Sequence, residues 1–158
     1  MRAFVTAICA AFVLSFVAAS HPAAADESFT IDFTLPYDET FENTCSGEFV
    51  NFHGTSHIVI SVDAGFDSYH YKLHANGNLS GDVVAPVPAL DVYTASQTED
   101  YEDTVSAGND ITNLVTTFVA VNHVDPHVNM KLITEFQINF KSKTLFNFHT
   151  TARCELFP

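Results

Sequence analysis

The sequence has no tryptophan, two methionines, three cysteines, and only six lysines and arginines against 19 aspartates and glutamates. A formal charge of −13 repels phosphate backbones and anionic headgroups, which argues against nucleic-acid binding and electrostatic membrane docking. Six glycines and six prolines, with no low-complexity run, exclude collagen-like and disordered classes. No G-x-S-x-G, H-E-x-x-H, phosphate-loop or dinucleotide fingerprint is present, and nothing in the sequence calls for a cofactor. Active sites can assemble without a local motif, so this lowers the case for an enzyme without eliminating it.

Long apolar runs are confined to residues 3–19 (AFVTAICAAFVLSFVAA), behind the single positive charge of Arg2. Ala23, Ala24 and Ala25 then offer small residues for cleavage before Asp26. The pattern predicts a signal peptide over 1–25, a single domain over 26–158, and secretion to the periplasm or the extracellular space. Cleavage after Ser20 is a second possibility. A membrane anchor is the rival reading, at the bottom of the spanning range and without a basic stop-transfer cluster. No later segment could cross a bilayer as a helix.

Two cysteines, Cys45 and Cys154, remain after the leader, 109 residues apart. In an exported chain such a pair predicts one disulfide, and closing a loop of that order is worth about 4–5 kcal/mol in the chain-entropy model. Free thiols or half of a metal site are the alternatives. An oxidising compartment disfavours the first, and the absence of a CxxC spacing disfavours the second.

Apolar residues recur with a period of two, the signature of strands with one buried face. Phe29, Ile31, Phe33 and Leu35 form one such set, with Pro36 ending the run. Val50, Phe52, Ile58, Ile60 and Val62 form a second, and Tyr69, Tyr71, Leu73 and Ala75 a third. Met130, Leu132, Phe136, Ile138 and Phe140 are followed by Thr144, Phe146, Phe148, Thr150 and Ala152. Asn76-Gly77-Asn78 predicts a tight turn. Residues 85–90 predict an irregular connection, and 97–110 an acidic, polar stretch that ends as a loop.

Parity suggests registers. Pairing Ile138 with Phe146 gives Phe136–Phe148, Thr134–Thr150, Leu132–Ala152 and Met130–Cys154, with Glu135 opposite His149. Pairing Val62 with Tyr69 gives Ile60–Tyr71, Ile58–Leu73 and His57 opposite His74. A slip of two would keep every face. About eight antiparallel strands predict an all-β barrel, with a β-sandwich as runner-up. A bridge from Cys45 to Cys154 would set the beginning of the sheet beside its end, as closure requires.

The segments CSGEFVNFHGTSHIVISV (45–62), Tyr-His-Tyr-Lys-Leu-His with its Asn-Gly step (69–77) and Phe-His-Thr-Thr-Ala-Arg-Cys (148–154) resemble those of small exported bacterial β-proteins of unknown function. The resemblance covers most of the chain after the leader. It implies an exported β-protein and carries no activity or ligand. The Gly-x-Trp signature of lipocalins is missing.

Histidines at i and i+4 on a strand lie about 13 Å apart, too far for one metal. Closeness must come across strands. The register above places His57 and His74 opposite each other, Cβ atoms roughly 5 Å apart, which could seed a Zn²⁺ or Cu²⁺ site with a third ligand. A soluble outer face, shared with Lys72, Ser61 and Asp63, is the stronger reading. His123 and His127 flank the Asp125-Pro126 turn, where solvated side chains are expected. The acidic 99–110 segment does not match a calcium loop. Fifteen phenylalanines and five tyrosines chiefly predict a core. If the barrel interior is not filled, Tyr69, Tyr71, Phe136, Phe146 and Phe148 would line a cavity for a small apolar or aromatic ligand. The function expected is therefore non-enzymatic binding of such a ligand. The alternatives are an envelope interaction or structural protein, a small barrel cyclase or isomerase, and a histidine metal-binding protein. Oligomeric state is not readable.

Overall fold

Period-two alternation does build the strands, and they run longer than the sequence segments suggested. The computed structural model describes residues 28–155. The predicted signal peptide and its cleavage sites lie outside the described residues. Seven strands follow in order: β1 (Phe29–Asn43), β2 (Glu48–Ala64), β3 (Ser68–Ala85), β4 (Ala89–Ser106), β5 (Ile111–Asn122), β6 (Met130–Asn139) and β7 (Thr144–Cys154). A single 3₁₀ turn at Pro126–Val128 precedes β6. Each strand pairs antiparallel with the next, giving one sheet of order β1 to β7. Among the described residues no helix is long and apolar enough to cross a membrane.

The sheet curls into a nearly closed barrel, the predicted class. The Cys45–Cys154 disulfide, with Cα atoms 5.7 Å apart, joins the β1–β2 turn to the end of β7. Further along the same joint the Tyr37 hydroxyl meets the Thr134 hydroxyl at 2.6 Å, and lower down the Phe33 ring meets Phe148 edge-on at 5.9 Å. Side chains and the disulfide, rather than a backbone ladder, thus bring β1 to β6 and β7.

One rung of the register crosses every strand: Tyr37, Gly54, Leu79, Ala95, Ala120, Met130 and Cys154. Large and small residues alternate around it, as a narrow barrel requires. The rung below contains Leu35, Ser56, Gly77 and Gln97 on β1 to β4. Here Gly77 is not in a turn. It sits in the middle of β3 because the Phe118 ring crosses the interior onto it: a Cβ there would lie 2.8 Å from Phe118 Cζ and 2.6 Å from the Thr55 carbonyl oxygen. The tight turn expected at 76–78 is therefore absent, and β3 continues to Ala85.

Other expectations shift in detail. Pro36 does not end β1; it is tolerated because β1 is an edge of the sheet. The polar 97–106 segment is strand, and only residues 107–110 form the loop. The β2–β3 register is displaced by two residues from the expected one, with Val62 opposite Tyr71 and Ile58 opposite Ala75. In the last hairpin Met130–Cys154, Leu132–Ala152, Thr134–Thr150 and Glu135–His149 pair as expected, but Ile138 faces Leu145. A bulge takes up the difference at Asn147, whose φ of 56° lies in the left-handed region that asparagine tolerates.

Two apolar clusters fill the interior. The upper one, toward the disulfide, holds Tyr37, Val50, Phe52, Leu79, Tyr93, Phe118 and Met130. The lower one holds Ile58, Ile60, Tyr71, Leu114, Phe136 and Phe140. A buried polar belt separates them: the Ser56 hydroxyl donates to Gln97 Oε1 at 2.6 Å, and Thr134 bonds Tyr37 and Thr150.

Candidate functional site

The five aromatics expected to line a cavity do not ring one. Tyr71 and Phe136 are buried in the lower cluster. Phe136 stacks on Phe148 at 5.3 Å, and Tyr69 stacks on Phe140 at 4.7 Å. Phe148 is 42% exposed and Phe146 is half-buried. Tyr69, Tyr71, Phe136 and Phe148 thus pack on other rings, while the bulge in β7 sets Phe146 opposite Gln137 and Leu145 opposite Ile138.

His57 and His74 do not face each other either, because of the two-residue displacement: His57 lies opposite Asn76 and His74 opposite Val59. Each has a carboxylate on a different neighbouring strand, His57 with Asp32 at 2.8 Å and His74 with Asp100 at 2.7 Å. Among the described residues no three His, Cys, Asp or Glu side chains converge as metal ligands. His123 bonds Thr94, while Asp125 accepts from the His127 backbone N–H, so the HVDPH turn disperses its groups.

Three features stand out instead. The first is the upper mouth of the barrel, a pocket of ≈ 200 Å³ walled by Val83, Val87, Val92, Val124 and Val128, with Glu48 and Asn122 among its polar groups. Side-chain bonds hold its rim. Asn122 Oδ1 accepts from the Val124 and Asp125 backbone N–H groups, and Asn129 Oδ1 accepts from the Asn122 backbone N–H at 2.8 Å. Beneath it, the Tyr93 hydroxyl donates to Glu48 at 3.1 Å and accepts from Asn43 Nδ2 at 2.9 Å. Sequence reasoning passed over this pocket because its walls come from four segments with no shared motif.

The second is a groove of ≈ 490 Å³ on the outer face of β2, β3 and β4, lined by Val59, Ser61, Lys72, His74, Asp100 and Glu102. Lys72 and His70 both reach Glu102, at 3.2 and 3.1 Å.

The third is a seam. β4 and β5 pair only from Tyr93–Asn122 to Ser96–Val119. Below that point residues 97–106 keep β3 on one side, residues 111–118 keep β6 on one side, and no ladder joins the two. A side chain takes the place of one ladder bond: the Glu99 carboxylate accepts the Thr117 backbone N–H at 3.0 Å. Gln97 and Thr116, which are 3% and 0% exposed, stand at the apex, and Gln97 Nε2 and Thr116 Oγ1 have no hydrogen-bond partner among the described residues. Tyr71, which packs 5.9 Å from Tyr101 and 5.6 Å from Phe140, lies beneath the opening. On the β4 side, Asp103 is held below the usual carboxylate range by the Thr104 N–H and the Tyr101 hydroxyl.

Burial pushes the phenols of Tyr37, Tyr71 and Tyr93 above the ordinary tyrosine value of 10.0. The folded state then holds these protons more tightly than the unfolded chain. Their contribution to stability is complete below about pH 10 and is lost progressively as pH rises from there through the raised folded-state values. Thermal unfolding followed against pH is expected to show a loss of stability setting in above about pH 10, with tyrosinate absorbance from these three rings appearing together with loss of tertiary circular dichroism. Full ionisation of every tyrosine in a still-folded protein would contradict this.

Comparison with protein-family models, with curated proteins and with solved structures finds no match.

Proposed function

We propose that the protein is a non-enzymatic binding protein of an exported, oxidising compartment, and that its small apolar ligand enters the upper mouth of the barrel. The valine-walled pocket beside Glu48 carries this reading. A preformed apolar concavity with a few convergent polar groups is the usual form of a small-molecule site. At ≈ 200 Å³ it suits a single- or double-ring compound, and Glu48 favours one that offers an N–H or O–H donor. The Cys45–Cys154 disulfide is consistent with the compartment. The aromatic interior is a poorer candidate because its rings already pack on one another.

Indole, flat, apolar and carrying one donor, is a suitable probe. Residue-resolved NMR is expected to move the amides of Val83, Val92 and Val128. Val124→Glu, at a position 80% exposed, is expected to weaken binding about tenfold while changing stability by no more than about 0.5 kcal/mol. Shifts centred on Tyr71 and Phe136, or saturable binding indifferent to Val124→Glu, would return the site to the interior.

A further inference from the structure

We propose that the open seam between β4 and β5 is a second, separate site that accepts an extended, cationic segment of another protein as an added strand, antiparallel to β4. Three observations converge on it. The edge of β4 at 97–106 and the edge of β5 at 111–118 are both without a strand neighbour. Such edges present backbone donors and acceptors ready for pairing. The Glu99 carboxylate already occupies one backbone donor of β5, as a partner's carbonyl would. Two buried polar groups, Gln97 Nε2 and Thr116 Oγ1, wait unpartnered at the apex. A native interior rarely leaves such groups unmet.

The connection between the two edges is long enough for them to part once Glu99 releases Thr117. Residues 107–110 connect Ser106 to Ile111, and a connection of that length spans at most about 17 Å. One inserted strand needs two interstrand steps, or about 9–10 Å.

Charge selects the partner. Glu99, Asp100, Glu102 and Asp103 line the β4 side, within a chain of net charge −13. Asp100 and Glu102 border the outer groove, where they already pair with His74 and with Lys72 and His70; lysine or arginine at outward positions of the added strand would join these exposed pairs. The opposite wall carries apolar Ile111 and Val115, exposed on the outer face of β5. A second copy of this chain would bring the same acidic edge and be repelled, so the occupant is a basic segment of a different protein.

The test uses the oxidised, leader-free protein and three synthetic peptides as long as the free edge. One alternates lysine and valine, one alternates glutamate and valine, and one is the backbone N-methylated form of the first. The lysine peptide is expected to bind and to slow amide exchange at alternate residues of 97–106. The glutamate peptide is expected not to bind, and N-methylation to weaken binding at least about tenfold, since it removes the ladder donors while keeping the charge. The double variant Asp100→Asn/Glu102→Gln alters exposed carboxylates that contribute little to folding. It is expected to weaken the lysine peptide about threefold to tenfold, with thermal unfolding as the control on its fold. Equal binding of the N-methylated peptide, no weakening in the double variant, or no protection of 97–106 by the lysine peptide would each overturn the proposal. So would self-association through β4, which would make a second copy the occupant. Indole binding at the mouth is read separately and survives any of these outcomes.

Discussion

Replacing Cys45 and Cys154 together by serine is expected to destabilise the oxidised protein by about 2–5 kcal/mol, lowering the melting temperature on the order of 10 °C. Two arguments set the size. The bridge closes a loop of 109 residues, so in the chain-entropy model it removes much of the unfolded chain's freedom. It also fastens a joint where no backbone ladder runs among the described residues: β7 reaches the start of the sheet through the disulfide and through side chains, among them the Thr134 link from Tyr37 to Thr150 and the Phe33–Phe148 contact. Each of those side-chain contacts is worth about 1 kcal/mol. Thermal or urea unfolding of the double variant beside the oxidised parent measures the loss. A loss below about 1 kcal/mol would mean that the side chains alone hold the joint.

Phe118→Ala is expected to cost about 3–5 kcal/mol, among the largest effects available from one side chain. Its ring is fully buried, meets Tyr37 edge-on at 5.2 Å and reaches the backbone of Gly77 across the barrel. Neighbours fixed in long strands cannot collapse into the space it would leave. The converse change, Gly77→Ala, forces a methyl against the same ring and against the Thr55 carbonyl, at an expected cost of about 1–3 kcal/mol. Because the two sites touch, their effects are coupled. Phe118→Leu should recover part of the loss from Gly77→Ala, and only part, since the clash with the Thr55 backbone at 2.6 Å remains. Urea unfolding of the two single variants and the double variant checks this. Full additivity would show that Gly77 is not held as glycine by Phe118.

That contact also explains where the sequence misleads. Asn76-Gly77-Asn78 reads as a turn by local chemistry, yet the glycine answers to a phenylalanine 41 positions away. Strands β1, β2, β6 and β7 were legible because their inward residues are apolar and their outward ones polar. The β6–β7 register was read correctly up to the bulge at Asn147, beyond which Leu145 rather than Phe146 lies opposite Ile138; in β2–β3 the faces were read correctly and the register was not, since a displacement of two keeps every face while it separates His57 from His74. The lower part of β4 was illegible as strand because its inward row reads Gln97, Glu99, Tyr101 and Asp103. β5 was illegible for the opposite reason, being apolar on both faces, with Leu114 and Phe118 inward and Val115 and Val119 outward. Both departures follow from the seam. Where two strands part, the usual division into a dry and a wet face no longer holds. The mouth pocket was hidden for a simpler reason, since Glu48, Val83, Val92 and Val124 meet only once the barrel has closed.

The central structural claim is the open seam, and residue-resolved amide exchange on the protein without any peptide tests it most directly. Along 97–106, N–H groups alternately face β3 and the seam. Protection is therefore expected to alternate with a period of two, while Thr117, held by Glu99, is slowed and loses that protection in Glu99→Ala. Uniform protection across 97–106 and 111–118 would mean that β4 and β5 are laddered to their ends, and would contradict the account.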